Sequence, residues 1–309
     1  MKKKVVIAGG TGCLGKSIIQ SFSPHEVEII VLTRKTLPAT DRVRFVAWDA
    51  KTAGDWVHEL EGSTAVINLV GKSVNCRYTD FNKKEIIQSR IESTLVLGQA
   101  IASRKKAPEV WINAGSAAIF GDGGNVFKDE TSATGDGFPA EVCKQWESAF
   151  FSCTTPNTRK VLLRMGLVFQ KGQGLLQPFI YLVKSGFGKS IGSGQQYITW
   201  IHEHDFVRLI HWSIEKKEAE GIYNAASPEP VKNEDFLADL RTVLRIPVAL
   251  PLPTWLIKIG GKIVGTEPEL LLKGRRVISK RLKENGFEFT FVTLKPALQN
   301  LINVNQTPL

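Results

Sequence analysis

Short apolar runs recur along the first two-thirds of the chain, at residues 5–8, 27–32, 43–48, 65–70, 110–114 and 161–168, separated by mostly amphipathic segments. Runs of this length bounded by polar turns are typical of strands buried on both faces. When they alternate with helical stretches they build a parallel sheet with crossover helices. Residues 14–22 continue the first run as a helix, and the run at 27–32 forms the second strand. Beyond about residue 222 the rhythm breaks, with Pro228, Pro230, Pro247, Pro251 and Pro253 punctuating short elements. The expected fold class is therefore α/β: a doubly wound parallel sheet over residues 1–221, followed by a smaller α+β capping subdomain over residues 222–309. The glycine-rich stretch at about 171–196 is expected to be a lid belonging with that subdomain.

The first apolar run leads directly into Gly9-Gly10-Thr11-Gly12-Cys13-Leu14-Gly15. In a strand–turn–helix of this kind, Gly9 permits the tight turn and Gly12 lets the backbone approach a pyrophosphate. Gly15 lets the helix pack close to the strand. The helix then presents unpaired N–H groups and its positive dipole end to the phosphates. This is the Rossmann-type arrangement, and ligands of such sheets lie at the carboxyl ends of the strands. Gly9, Arg34, Asn68, Gly71 and Ser116 all fall there. After the second strand, NAD-specific folds usually place an acidic residue to hold the ribose hydroxyl. This chain has Thr33-Arg34-Lys35 instead, and a guanidinium can grip a 2′-phosphate in two places, so NADP is the expected cofactor. The alternative is that Arg34 is an ordinary surface arginine.

Charge and cysteine content narrow the setting. The 309 residues carry 40 Lys and Arg against 30 Asp and Glu, a net charge of +10. The excess is dispersed, and its densest clusters, at 104–106 and 273–283, lack interleaved aromatics. A solvated face is expected there rather than a nucleic-acid groove. No run approaches the roughly 20 apolar residues of a membrane helix. The basic Lys2-Lys3-Lys4 precedes an apolar run that stops at Gly9, too short for a secretion signal. Cys13, Cys76, Cys143 and Cys153 are scattered, which predicts neither a disulfide framework nor a metal site and fits a reducing cytoplasm.

Several further segments carry a family resemblance. Residues 116–121, Ser-Ala-Ala-Ile-Phe-Gly, resemble the catalytic-serine strand end of extended short-chain dehydrogenases/reductases of the nucleotide-sugar epimerase group. Residues 66–71, Val-Ile-Asn-Leu-Val-Gly, resemble that group's fourth-strand motif. Segments at 89–94, Trp146-Glu147, 191–194, 199–203, 223–228 and 270–289 are similar to its atypical NADP-binding epimerase-family branch, which ends in a DUF1731-type segment. The resemblance covers nearly the whole chain. It implies that Thr11, Gly12, Cys13, Leu14 and Gly15 hold the pyrophosphate and that Thr33 and Arg34 meet the 2′-phosphate. Leu69 and Val70 would line the cofactor, Val168 would touch its nicotinamide end, and Glu85 and Arg90 would face the cleft mouth. Glu85 could equally be a solvated helix residue.

The catalytic pair of active reductases is missing. They use Tyr-x-x-x-Lys, in which the lysine lowers the tyrosine pKa so that it can exchange a proton with substrate. The four tyrosines, Tyr78, Tyr181, Tyr197 and Tyr223, are followed four positions later by Asn82, Ser185, Ile201 and Ser227. The family positions fall near Pro139 and Cys143, with Lys144 one residue out of register. Ser116 is the candidate catalytic residue, unless it merely caps backbone. Tyr78, Arg77, Glu141, Lys144 and His202 are candidate replacement acids, His202 competing with a packing or capping role. Two functions follow. One is an NADP-dependent oxidoreductase or epimerase acting by hydride transfer on a sugar-like or nucleotide-linked small molecule. The other is a regulatory protein that binds NADP(H) without turnover. No nucleic-acid or membrane partner is expected, and a homo-oligomer is left open.

Overall fold

The computed structural model describes residues 2–264 and 267–302. Its centre is a seven-stranded sheet in which every neighbouring pair is parallel. Five of its strands are β1 (Lys3–Ala8), β2 (Val27–Thr33), β3 (Val43–Ala47), β4 (Ala65–Asn68) and β5 (Val110–Ser116). With the later strands Arg159–Met165 and Gly221–Ala225, the order runs Gly221–Ala225, Arg159–Met165, β5, β4, β1, β2, β3. The order reverses beside β1, where successive crossovers leave in opposite directions and open a crevice at the strand ends. The edge strand Gly221–Ala225 carries the sheet past residue 221.

Both sheet faces are covered, as the continuous apolar runs require. Alternate residues Val5, Ile7, Ile29, Val31, Ile67 and Ile112 pack against Ile18 of helix α1 (Cys13–Ser21) and Phe206, Leu209 and Ile210 of helix Glu203–Glu215. The intervening Val6, Ile30, Leu32, Val66 and Trp111 face Val96, Leu97 and Ile101 of α2 (Asp80–Ala102) and Phe150 of α3 (Phe138–Ser152). Thr79 caps α2 by accepting the Asn82 N–H.

One expected strand is two. The run at 161–168 breaks at Gly166, and Leu167–Gln170 leaves the main sheet to pair with Trp200–His202. The cause is steric: a Cβ on Gly166 would lie 2.8 Å from the Thr199 carbonyl oxygen. The glycine-rich stretch at 171–196 is ordered by its own core. Helix Leu176–Lys184 sets Leu176, Ile180 and Val183 against Phe236, Leu237, Leu240, Leu294 and Leu298, so this stretch packs with the C-terminal elements.

Candidate functional site

A cleft of about 750 Å³ opens at the carboxyl ends of β1, β4 and β5. One wall is the turn after β1. Gly9 adopts φ +76°, and a Cβ there would press on Val70 and Leu69 at 3.1–3.2 Å. At Gly15 a Cβ would stand 2.2 Å from the Gly10 carbonyl oxygen, so α1 can pack this closely only without a side chain. Gly12 is the reverse case: a Cβ would meet nothing within 4 Å, because that face of the backbone is open. Gly12 is also the N-cap of α1, with no side chain capping the helix and no acidic residue in its first turn. An open backbone face beside uncapped N–H groups is a cradle for anionic phosphate.

The structure brings most of the expected residues to this cleft. Gly9, Gly12, Cys13, Leu14, Gly15, Leu69, Val70, Arg90, Ser116 and Val168 all line it. Asn68 organises the β4 end: its Oδ1 accepts the Val70 N–H at 3.1 Å, and its Nδ2 donates to Asn113 Oδ1 at 2.7 Å. Thr11, Thr33, Arg34 and Glu85 lie outside the lining. Thr11 and Arg34 are exposed, Thr33 is buried with Oγ1 accepting the Lys35 N–H, and Glu85 is half-buried on α2.

Arg90 sits over the Trp146 ring at 5.1 Å and donates from Nη1 to the carbonyls of Ile86 and Lys72. Gly71 makes room for it, since a Cβ there would lie 3.0 Å from the guanidinium carbon. Burial draws the Arg90 pKa below its ordinary value. Ser116 is half-buried, and its Oγ accepts the Ala118 N–H at 3.1 Å, which leaves its own proton free to donate.

Pro139 and Cys143 of α3 stand on the cleft wall. Burial, with Glu147 adding to it, pushes the Cys143 thiol up to about 12. Tyr78 also lines the cleft, its ring edge-on to Phe138 at 4.7 Å and its hydroxyl buried without a hydrogen-bond partner. Desolvation, with Glu269 next, raises its pKa well above that of an ordinary phenol. Both groups therefore stay protonated near neutral pH.

His202 is a packing residue. Its Nδ1 accepts the His204 N–H at 3.0 Å, and its ring stacks on Phe291 at 3.8 Å. Burial pushes its pKa down to about 4.

The far wall comes from Glu269, Leu270, Leu271, Lys273, Gly274 and Arg275, which overlap the start of the basic run at 273–283 expected to be a solvated face. The expectation holds for Lys273, Lys280 and Lys283, which are exposed, and not for the arginines of the run. Arg276 is stacked between Phe127 at 3.6 Å and Tyr197 at 4.9 Å, and Arg281 donates to the carbonyls of Ile222 and Glu220. Arg275 and Lys273 turn to the cleft. Nothing in local composition separates these positions from a solvated basic run.

The glycine turn, the reversal of strand order beside it and the two helical layers define a dinucleotide-binding α/β protein. The chain belongs to the NAD dependent epimerase/dehydratase family, which it matches over residues 5–226. Residues 252–301 match a domain of unknown function, DUF1731. The chain is 32% identical over 306 residues to an Arabidopsis thaliana protein described as a chloroplastic homolog of epimerase family protein SDR39U1, covering 96% of this chain and 86% of that one. It is 30% identical over 305 residues to SDR39U1 of Bos taurus, covering 97% and 99%. The crystal structure of human epimerase family protein SDR39U1 (isoform 2) with NADPH matches with a TM-score of 0.85 at 27% identity, covering 96% and 98%. Among the described residues, no helix is long and apolar enough to cross a membrane.

Proposed function

We propose that this protein is an NADP(H)-dependent oxidoreductase that moves a hydride between the cofactor and a carbinol or carbonyl carbon of a sugar-like or nucleotide-linked small molecule. The observation that carries the reading is the continuity of the cleft. It runs from the phosphate-type cradle at Gly12, past Ser116, to residues 269–275 of the C-terminal subdomain, so one space serves a cofactor and a second molecule. The open backbone at Gly12 and the uncapped start of α1 fit a pyrophosphate. Thr11, Gly12, Cys13, Leu14 and Gly15 would hold it, and Thr33 and Arg34 would take the 2′-phosphate. Leu69, Val70 and Val168 would flank the cofactor, with Glu85 and Arg90 near its mouth. The NADPH in the human relative supports this choice of cofactor.

When bound, the nicotinamide supplies the hydride chemistry. The role we assign to Ser116 is to hold the substrate oxygen at the end of β5 by a hydrogen bond from its free hydroxyl, which keeps its proton. Tyr78 and Cys143, held protonated, can donate a hydrogen bond but cannot act as a base near neutral pH. That asymmetry favours reduction of a carbonyl over oxidation of an alcohol. Unpaired cysteines throughout the chain support a reducing, cytoplasmic setting.

A second reading is supported by the same wall of α3. With Pro139 and Cys143 in place of tyrosine and lysine, the protein could bind NADP(H) as a regulatory ligand without turnover. The test is NADPH oxidation followed by absorbance over a panel of sugar nucleotides and carbonyl compounds, with Ser116→Ala alongside. Turnover that Ser116→Ala abolishes while NADPH binding is retained supports the enzyme. Tight NADPH binding with no turnover across the panel favours the regulatory protein.

A further inference from the structure

We propose that Gln170 is a cofactor-binding residue whose side-chain oxygen, Oε1, accepts a hydrogen bond from the carboxamide N–H of the nicotinamide. The inference rests on the placement of NADP(H) in this cleft and needs no hydride transfer.

A chain of hydrogen bonds fixes which way the Gln170 amide points. Gln170 Nε2 lies 3.0 Å from Ser17 Oγ on α1, and Ser17 Oγ lies 3.1 Å from Glu203 Oε2 at the start of helix Glu203–Glu215. Ser17 has one proton to give. Its other two partners, the Glu203 carboxylate and the Cys13 carbonyl at 3.4 Å, only accept. The hydroxyl proton is therefore spent, and Gln170 must meet Ser17 with an N–H. The Glu203 carboxylate is held in turn by the Lys171 N–H at 2.9 Å. Turning the amide over would set oxygen against oxygen and break the chain. With Nε2 committed to α1, Oε1 is the end left over.

That oxygen belongs to the cleft. Gln170 is only 2% exposed yet lines the cleft, and its Oε1 accepts no hydrogen bond among the described residues. A Cβ on Gly174 would lie 2.8 Å from Oε1, and Gly174, at φ +70°, lines the cleft as well. The missing side chain keeps the space before the oxygen clear. The other side-chain amides of the lining have their oxygens engaged. Gln196 Oε1 accepts the Ser193 hydroxyl at 3.4 Å, and Asn233 Oδ1 accepts the Ile191 N–H at 2.8 Å. A buried amide oxygen without a donor is costly, so a ligand that brings an N–H to it is favoured.

Position names the donor. Val168 and Gln170 are alternate residues of strand Leu167–Gln170 and both face the cleft, while Phe169 between them packs into the C-terminal core. They stand about 7 Å apart on one face of the strand. With Val168 flanking the nicotinamide in the proposed arrangement, the donor offered to its strand neighbour is the carboxamide, the one N–H group in that half of the cofactor. Through Ser17, Gln170 is also tied to the helix whose first turn is the phosphate cradle, so the two contacts are held in fixed relation.

The test is calorimetric titration of the protein with NADP and with its 3-acetylpyridine analogue, in which a methyl group replaces the carboxamide nitrogen. Wild type should bind NADP about tenfold more tightly, as one hydrogen bond does. Gln170→Met, which keeps the length and removes the oxygen, should bind both nucleotides alike, with NADP about tenfold weaker than in wild type. Ser17→Ala leaves the amide but unties it. It should retain part of the preference, and it guards against a folding defect in Gln170→Met. A wild type that does not distinguish the two nucleotides overturns the contact. So does a Gln170→Met variant that keeps the tenfold preference, including one in which both affinities fall in step, as a purely structural role would give. Absence of binding of either nucleotide to wild type overturns the contact and the cofactor placement together. Absence of turnover across the substrate panel, with the Gln170-dependent preference intact, would sink the hydride reading and leave the contact standing.

Discussion

Gly12 and Gly15 are three residues apart in one turn, yet the structure assigns them opposite fates on substitution by alanine. At Gly15 the new Cβ would stand 2.2 Å from the Gly10 carbonyl oxygen, where a carbon–oxygen contact needs about 3.3 Å. The start of α1 would have to retreat by about 1 Å. Overpacking of that kind costs about 1–3 kcal/mol. For a chain this long that lowers the melting temperature by about 2–6 °C. At Gly12 a Cβ meets nothing within 4 Å, and the backbone at φ −77° and ψ 175° is one alanine adopts freely. Gly12→Ala should leave the ligand-free protein as stable as the wild type, or raise stability by about 0.4–1 kcal/mol through the unfolded chain. Its cost should fall on the cofactor, because the methyl group fills the face that the pyrophosphate must approach. Losing one or two charge-assisted backbone contacts, about 1.5–3 kcal/mol, weakens NADPH binding by about tenfold to a hundredfold. Thermal unfolding without ligand, paired with NADPH fluorescence titration, separates the two effects. Wild-type NADPH affinity in Gly12→Ala would refute the placement of the pyrophosphate, and wild-type stability in Gly15→Ala would refute the packing argument.

With the exposed Arg34 in the proposed 2′-phosphate role, Arg34→Ala should weaken NADP binding while leaving NAD binding nearly unchanged; equal loss for both nucleotides in binding titrations would remove that role. Glu147→Ala leaves the buried Arg164 guanidinium without its carboxylate and should cost about 3–5 kcal/mol in urea unfolding. A cost below about 1 kcal/mol would mean that the pair contributes little. His202, neutral in the folded protein with a pKa of about 4, takes up a proton far more readily once unfolded. Its contribution is therefore complete above about pH 6.5 and is lost as pH falls towards 4, a swing of about 3 kcal/mol. His202→Gln should flatten the pH dependence of the urea midpoint across that window, and an unchanged slope would assign the loss to other groups.

What was legible in the sequence was what a few neighbouring residues decide. The glycine turn combines a strand, a tight turn and a helix start within residues 4–15, and each requirement is local. The core strands read correctly because a strand covered on both faces must be apolar throughout, as the alternate packing of Val5 and Val6 on opposite layers illustrates. The break at Gly166 did not read, because its cause is the Thr199 carbonyl, 33 residues further along. The glycine-rich stretch hid helix Leu176–Lys184 for a similar reason. Its apolar face makes sense only against Phe236, Leu237 and Leu298, which local periodicity does not connect to it.

The same logic separates the two ends of the cleft. The cradle end announces itself because its wall is backbone, and only glycine allows backbone so close. At the far end side chains form the wall, and an arginine there looks like any other until its surroundings are known. Arg275 and Arg276 are adjacent and chemically identical. One lies between the Phe127 and Tyr197 rings, and the other lines the cleft. The difference arises from Tyr197, Thr199 and Asp122, which fix the main chain of 274–275 from far away in sequence. A cofactor site written in backbone can therefore be read from a dozen residues. The far wall of the cleft exists only once the C-terminal segment has folded back across β5, so no local stretch of the sequence announces it.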